Sequence, residues 1–381
     1  MRGFTRRRGK TWTAYWDIYD PQTGDRRQSS KGGFARQKDA ESHLELVVPQ
    51  VKAGIYSEPS KEPLGRFLQH EWLPAMSGTV RPLTHDNYSK VVDRYVVRRD
   101  IGAVPLCSLS PGSLTGLYGE LERDGLSPGT RRLVHAVLGR ALRDAKRWGK
   151  IARNPAADAS PPAKPKSTAI AWSARELGAF LAHVADDRLS ALWRLAATSG
   201  ARRGELLAVT WRALDLDRAR LQIDQQLIPT PGGATFGPPK SERSERTIAL
   251  DPDTVQALRR HRDTQLLERD LAGSAYEDGD LVFCDELGHP YQPKWLTDRF
   301  RRLRKATGIS TGSLHILRHT SATLALTANP PVPLHIVAGR LGDDPTILLG
   351  VYAHLLQRSD VQAAEAVAAI LDDKTMTSAA A

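Results

Sequence analysis

The sequence predicts a multidomain chain: a small α+β N-terminal domain, an all-α middle domain, and a mixed, mainly α C-terminal domain with a small β-sheet. Three observations predict it. At 381 residues the chain exceeds what one ordinary hydrophobic core organises, so two or three domains are expected. The apolar period is two residues near the start, helical from Leu64 onward, and mixed after residue 168. Two stretches read as linkers by their Gly, Ser and Pro content: "GIYSEPSKEPLG" from Gly54 and "NPAADASPPAKPKSTA" from Asn154. The expected domains are 1–57, 62–158 and 168–373.

In the first domain Trp12, Ala14, Trp16 and Ile18 alternate with Thr11, Thr13, Tyr15 and Asp17, as in a half-buried strand. "DPQTGD" supplies a turn, and "RRQSSKGGF" returns as a second strand. Residues Ala35 to Val48 read as a helix with Ala40, Leu44, Val47 and Val48 on one side, and Pro49 is expected to end or kink it. The middle domain reads as helices. Ser110-Pro111 and Ser127-Pro128 each place a capping residue before a proline suited to the first helical position. The last of these helices should carry Leu133, Val137, Leu138, Leu142 and Ala145 inward, with Arg131, Arg132, Arg140, Arg143 and Arg147 outward.

The third domain opens with the helices "ARELGAFLAHV" and "SALWRLAATSG". "LDLDRARLQIDQQLI" reads as a strand pair turning at Asp217-Arg218, "RTIAL" as another strand, and Asp251-Pro252 as the start of a helix. A final helix, "SDVQAAEAVAAILDD", has Ala363, Val367, Ile370 and Leu371 on one face, which packs in cis or docks on a neighbouring protomer.

Composition narrows the function. Hydrophobic content of 40% and charged content of 25% indicate a globular chain. No apolar run approaches the roughly 18 residues needed to span a bilayer. The basic start "MRGFTRRRGKTW" has no apolar segment behind it, so it is not a secretory signal. Cys107 and Cys284 lie far apart and form no zinc signature; two reduced, buried thiols in a cytoplasmic protein are expected. The net charge of +11 and pI near 9.7 suggest a polyanionic partner, most often nucleic acid. The charge is clustered. Met1 to Lys38 holds ten Lys or Arg against three Asp, and Ala145 to Thr168 holds six against the single Asp158. Such clustering favours a DNA surface over uniform solubilisation.

Chemistry-bearing features fall in the last domain. In "TSGARRGELLAVTW" a helix ends at Gly200, and Arg202 sits in the turn before the next helix. Lys240 lies in the loop "GPPKSERSERTIAL", just before a strand. In "SLHILRHTSATLAL" His315 and Arg318 share one helical face in a first turn, where helix N–H groups favour an anion; Ser313 is the expected cap. In "GRLGDDPTILLGVYAHLL" Asp344-Pro345 opens a helix with Tyr352 two turns in. Each has an ordinary reading too: an interhelix salt bridge for Arg202, solvated cations for Lys240, His315 and Arg318, a core position for Tyr352.

Taken together, the order Arg, Lys, His-x-x-Arg, Tyr resembles the tyrosine recombinase (phage integrase) family. The matching words are "SGARRGEL", "PPKSERSERTIAL", "LHILRHTSATL" and "GRLGDDPTILLGVYAHLL", covering most of residues 168 to 357. Upstream, the chain is more weakly similar to the family's arm-type DNA-binding domain and helical core-binding domain. The resemblance implies a role for each matched residue. Tyr352 attacks a scissile phosphodiester, leaving a 3′-phosphotyrosine and a free 5′-hydroxyl. Arg202 and Arg318 clamp the non-bridging oxygens. Lys240 protonates the leaving oxygen, and His315 assists Tyr352 as base or hydrogen-bond partner. One position departs from the pattern: the family usually places His or Trp after the "LG", where this chain has Asp343. An ionised aspartate donates no hydrogen bond and repels phosphate. It either orients Arg202, Arg318 or His315, or belongs to the capping turn.

The residue types suit such a reaction. Guanidiniums are planar, always charged, and match paired phosphate oxygens. A tyrosine of ordinary pKa near 10 stays protonated at pH 7 and needs a base or nearby cations to attack. A covalent protein–DNA link conserves the phosphodiester energy, so no ATP, other cofactor or metal is expected. The implied activity is site-specific recombination that integrates or excises a mobile element. Its implied partners are double-stranded attachment sites and a homotetramer on DNA, with an excision factor and a DNA-bending host protein as further candidates. Two alternatives stay open: a catalytically impaired, sequence-specific DNA-binding protein, and a type IB topoisomerase-like relaxing enzyme.

Overall fold

The computed structural model of the chain describes residues 3–19, 25–53, 60–163, 170–230, 232–239 and 242–356, together with 364, 365 and 368. Lys240 and most of the expected helix over 359–373 lie outside the described residues. The chain divides into two compact units, Met1–Pro165 and Lys166–Ala381.

The first unit begins with an antiparallel sheet of strands β1 (Phe4–Arg8), β2 (Thr11–Tyr19) and β3 (Arg26–Phe34), in the order β1-β2-β3. Strand β1 was not expected: "FTRRR" shows no apolar alternation because it is an edge strand with Arg6, Arg7 and Arg8 exposed. Its apolar anchor is Phe4, paired with Tyr15 and stacked on that ring at 4.9 Å. Ala14 and Trp16 face Ala40, Leu44 and Val47 of helix α1 (Gln37–Lys52) in a small core of their own. The helix runs through Pro49 instead of ending there. Proline's φ fits the helix, and one forgone backbone bond in the last turn is a small cost.

A second core in this unit is wholly helical. It gathers Phe67, Trp72, Leu117, Leu121, Val134, Leu138 and Leu142, among others. Ser110 and Ser127 cap α2 (Pro111–Arg123) and α3 (Pro128–Arg147), accepting from the N–H of Ser113 and Thr130. Val134, not the expected Leu133, lies inward; it shares the face of Val137, Leu138 and Ala141, while Leu133 is 47% exposed. Cys107 is exposed rather than buried, and only Cys284 fits the expectation.

The second unit is built around aromatic side chains of helices α4 (Ala174–His183), α5 (Ser190–Ser199) and α8 (Pro293–Ala306). Phe180, Trp193 and Phe300 are buried in mutual contact, joined by Trp172. Between α5 and α8 come the short helix α6 (Arg203–Leu206), five strands and helix α7 (Pro252–Ala272). Strands β4 (Leu214–Asp215), β5 (Arg220–Ile223) and β8 (Arg246–Ala249) form one antiparallel sheet, in the order β4-β5-β8. Strands β6 (Gln226–Thr230) and β7 (Gly233–Gly237) form a hairpin. Helices α9 (His315–Leu326), α10 (Leu334–Leu341) and α11 (Pro345–Leu356) complete the described part. Helix α9 packs on α5 and α10. Ser313 does not cap α9 with its side chain; only its backbone carbonyl accepts, from Ile316. No helix among the described residues is long and apolar enough to cross a membrane.

Candidate active site

Two arginines from distant segments meet at one carboxylate. Helix α5 ends at Gly200, whose φ of +63° is the left-handed conformation that glycine adopts without strain. A Cβ there would also stand 2.5 Å from Leu341 Cδ2. The turn exposes the Gly200 carbonyl, which accepts a hydrogen bond from Arg318 Nη1 at 2.8 Å. Arg202 follows in extended conformation as the residue capping α6. Helix α10 ends the same way at Gly342, φ +65°, whose carbonyl accepts from Arg202 Nη2 at 3.1 Å. Both helix-ending glycines thus offer a backbone acceptor to a guanidinium.

Asp343 comes next in the chain. One of its oxygens accepts from Arg202 Nη2 at 2.6 Å and the other from Arg318 Nη2 at 2.5 Å. Asp343 therefore orients both arginines; the capping of α11 falls to Asp344, which accepts from the Thr346 N–H and hydroxyl. The Nε of neither Arg202 nor Arg318 donates to a described residue, so each guanidinium keeps an unused edge.

Two further residues support Arg202. Glu205, whose side chain is 2% exposed, accepts from the Arg202 backbone N–H at 2.9 Å and from Arg202 Nη1 at 2.8 Å. Its Oε2 also accepts from Arg246 Nη2 at 2.9 Å. Burial alone would push the Glu205 carboxyl up, but Arg246 and Arg202 more than offset it and leave it below its ordinary value of 4.5. A depressed carboxyl contributes stability above its unfolded pKa and loses it as pH falls through the folded one. Wild-type thermal midpoints should therefore drop on acidification below about pH 4.5 more steeply than those of Glu205→Gln. Glu205→Gln should be the less stable of the two at pH 7, because it strips a buried Arg246 of its carboxylate. Circular dichroism melts across pH check both parts; parallel curves would refute the first.

Tyr352 points its hydroxyl at His319 Nδ1, 2.7 Å away. The rest of its ring is packed among Ala322, Leu326, Val337, Ala338, Leu341 and Leu348, leaving it 2% exposed. Burial pushes its pKa up to about 12, with Arg318 pulling down and Asp343 up by less. His319, half-buried, is held below its ordinary value by burial and then by Arg318, so it is neutral and able to accept a proton. His315 lies edge-on to His319, ring centroids 4.6 Å apart. Crowding by protein, then His319 and Arg318, push it down to about 4, although its exposed ring keeps contact with water that screens those charges.

The structure thus brings Arg202, Arg318, Asp343 and His315 together with the His319–Tyr352 pair. His319, not His315, contacts the phenol. Sequence reasoning passed over three residues that left signals. His319 follows His315 by four and so shares its helical face. Glu205 stands at the capping-box position, three after Arg202. Arg246 stands two before the buried Ile248, on the inward face of β8. Chemically, the cluster offers two oriented guanidiniums, a neutral imidazole and a phenol, a set suited to an in-line attack on a phosphodiester.

Comparison with known proteins finds similar sequences and folds. Residues 174–358 match the model of the phage integrase family, and residues 4–48 that of an arm DNA-binding domain. The chain is 25% identical to a tyrosine recombinase XerC-like protein of Caldanaerobacter subterraneus subsp. tengcongensis, covering 86% of this chain and 88% of that one. It is 24% identical to an integrase of Saccharopolyspora erythraea, covering 78% and 80%. Among solved structures, the fold is similar to that of the Tn1549 transposon integrase in complex with transposon right end DNA. That match has a TM-score of 0.66 at 20% identity, over 81% of this chain and 100% of that chain. A lambda integrase dimer bound to a core site gives a TM-score of 0.55 at 17% identity, over 90% and 93%.

Proposed function

The chain belongs to the phage integrase family of tyrosine recombinases, and from that premise we propose that Tyr352 is the nucleophile with which it cuts and rejoins DNA at specific sites. The convergence of Arg202 and Arg318 on one carboxylate, with Arg318 next in the chain to the His319 that holds Tyr352, carries this reading.

The Tyr352 oxygen attacks the scissile phosphorus. A phosphorus–phenol oxygen bond forms, the bond to the 5′ oxygen breaks, and the 3′ end is left on the protein. The phenol proton passes to His319, which is already its hydrogen-bond partner, with His315 beside it. The 5′ oxygen takes a proton from Lys240. Attack of a 5′-hydroxyl from the partner duplex reverses these changes and restores a phosphodiester. Arg202 and Arg318 stabilise the charge that builds on the equatorial oxygens, commonly the largest catalytic term. Asp343 fixes the Nη2 edges of both, leaving their Nε edges for the phosphate. It is a positioning residue, and it substitutes for the hydrogen-bond donor usual at this place by organising the two donors already there.

Residues 1–57 bind arm-type sites through β1–β3 and their exposed arginines, while 62–158 and 168–373 hold the core site. Four copies assemble on two duplexes, aided by an excision factor and a DNA-bending host protein.

Incubation with a nicked duplex carrying the attachment core tests the reading. A protein–DNA adduct that survives denaturation and joins only cognate duplexes is expected. Relaxation of supercoiled DNA without site preference points instead to a topoisomerase-like enzyme, and tight binding without an adduct to a non-catalytic DNA-binding protein.

A further inference from the structure

Arg203 stands beside Arg202 in the chain, and it differs from that residue in having no counter-charge among the described residues. Arg202 pairs with Glu205 and Asp343. Arg203 is half-buried, and its side chain's one hydrogen bond to a described residue goes from Nη1 to Thr297 Oγ1 of α8, at 2.8 Å. No carboxylate among the described residues pairs with it. Burial disfavours its charged form, and no opposing charge compensates. A cation held in this way at a structural cost fits a site whose anion arrives from outside.

Two cavities share this guanidinium. One, of about 280 Å³, is lined by Arg203, Thr297, Ser313 and His315 over an apolar floor of Leu206 and Leu317. His315, a member of the cluster described above, is one of its lining residues. The other is a groove lined by Arg203, Thr297, Lys294 and Arg301. Asp298 also lines the groove and faces these cations, but it accepts from Lys294 at 2.6 Å and lies 3.1 Å from Arg301. Its one negative charge is shared between two positive ones and leaves a cationic excess.

We infer that Arg203 and Thr297 form a second phosphate seat, which takes a DNA backbone phosphate flanking the scissile one. The inference rests on the reading of the chain as a DNA strand-transferase. A strand anchored at Arg202 and Arg318 carries its next phosphates at a rise of about 3.4 Å each, so the surface beside the clamp must meet more of them. The seat fixes the strand lengthwise, setting which phosphate reaches the two arginines.

The salt dependence of binding tests this with the full chain and duplex DNA of arbitrary sequence, since backbone contacts are read without sequence. In Arg203→Gln the slope of log affinity against log salt should become shallower by about 0.9, the value of one phosphate contact, and Arg203→Lys should keep the wild-type slope. Arg203→Gln should melt no lower than wild type, because it removes an uncompensated cation. Should it nevertheless fail to fold, Thr297→Glu places a carboxylate against Arg203 and should flatten the slope likewise. An unchanged slope in both variants overturns the proposal. So does weaker binding at unchanged slope, which would assign the cavity to an unstacked base. Covalent adduct formation by the wild-type chain is scored separately. An adduct with no slope change sinks the seat alone, and a slope change with no adduct sinks the strand-transferase reading alone.

Discussion

Tyr352→Phe should abolish the covalent protein–DNA adduct while leaving noncovalent DNA binding at the wild-type level. The substitution removes the attacking oxygen and nothing else. The ring keeps its pocket among Ala322, Leu326, Val337, Ala338, Leu341 and Leu348, so stability should fall only by the lost bond to His319, about 0.5–1.5 kcal/mol. The buried phenol itself sets a condition on the reaction. With its pKa pushed up to about 12, on the order of one molecule in 10⁵ carries the phenolate at pH 7. Ionisation at rest therefore cannot supply the nucleophile. The proton must leave during attack, and His319 is the group in contact to take it. A suicide-substrate gel checks the prediction, and an adduct persisting in Tyr352→Phe would show that another side chain attacks.

The second large effect concerns Asp343. Asp343→Ala leaves Arg318, whose side chain is 5% exposed, with only the Gly200 carbonyl. Removing one partner of a buried ion pair costs about 3–5 kcal/mol. Asp343 itself is 24% exposed, which places the loss near the lower end, about 3 kcal/mol. For a unit of this size that is a fall of roughly 6–12 °C in melting temperature. Adduct formation should fall by roughly 10- to 100-fold, short of the 10²–10³ lost when a transition-state donor is removed outright. Asp343→His restores the residue usual at this place, yet it should behave no better, because an imidazole offers at most one acceptor nitrogen, and none when protonated, where the two guanidiniums now find two acceptor oxygens. A gain of activity in Asp343→His, measured in the same adduct assay, would show that the Arg202–Asp343–Arg318 bridge hinders the reaction rather than supports it.

Much of this site was legible beforehand, and the parts that were not share a cause. Arg202, Arg318, His315 and Tyr352 could be named because the local words that hold them, each with an ordinary reading of its own, follow one another in an order that resembles the tyrosine recombinase family. The role of Asp343 stayed open because its neighbours are 141 and 25 residues away in sequence. Likewise, the face shared by His315 and His319 could be read from their spacing, but which of the two meets the phenol depends on how α11 packs against α9. Strand β1 was missed because exposed arginines at a sheet edge have no hydrophobic alternation to betray them. Pro49 misled because a proline in a helix's last turn gives up only one bond.

The sequence by itself determined the domain types, the helix and strand periods, the Ser110 and Ser127 caps and the order of the charged words, since all follow from contacts within a few residues along the chain. Only the tertiary structure decided that Asp343 ties two arginines together, that His319 holds the phenol, and that Arg203 has no carboxylate partner among the described residues. Those outcomes depend on which distant side chains share a low-dielectric space, where one charge more or less settles the balance, and no local spacing encodes that.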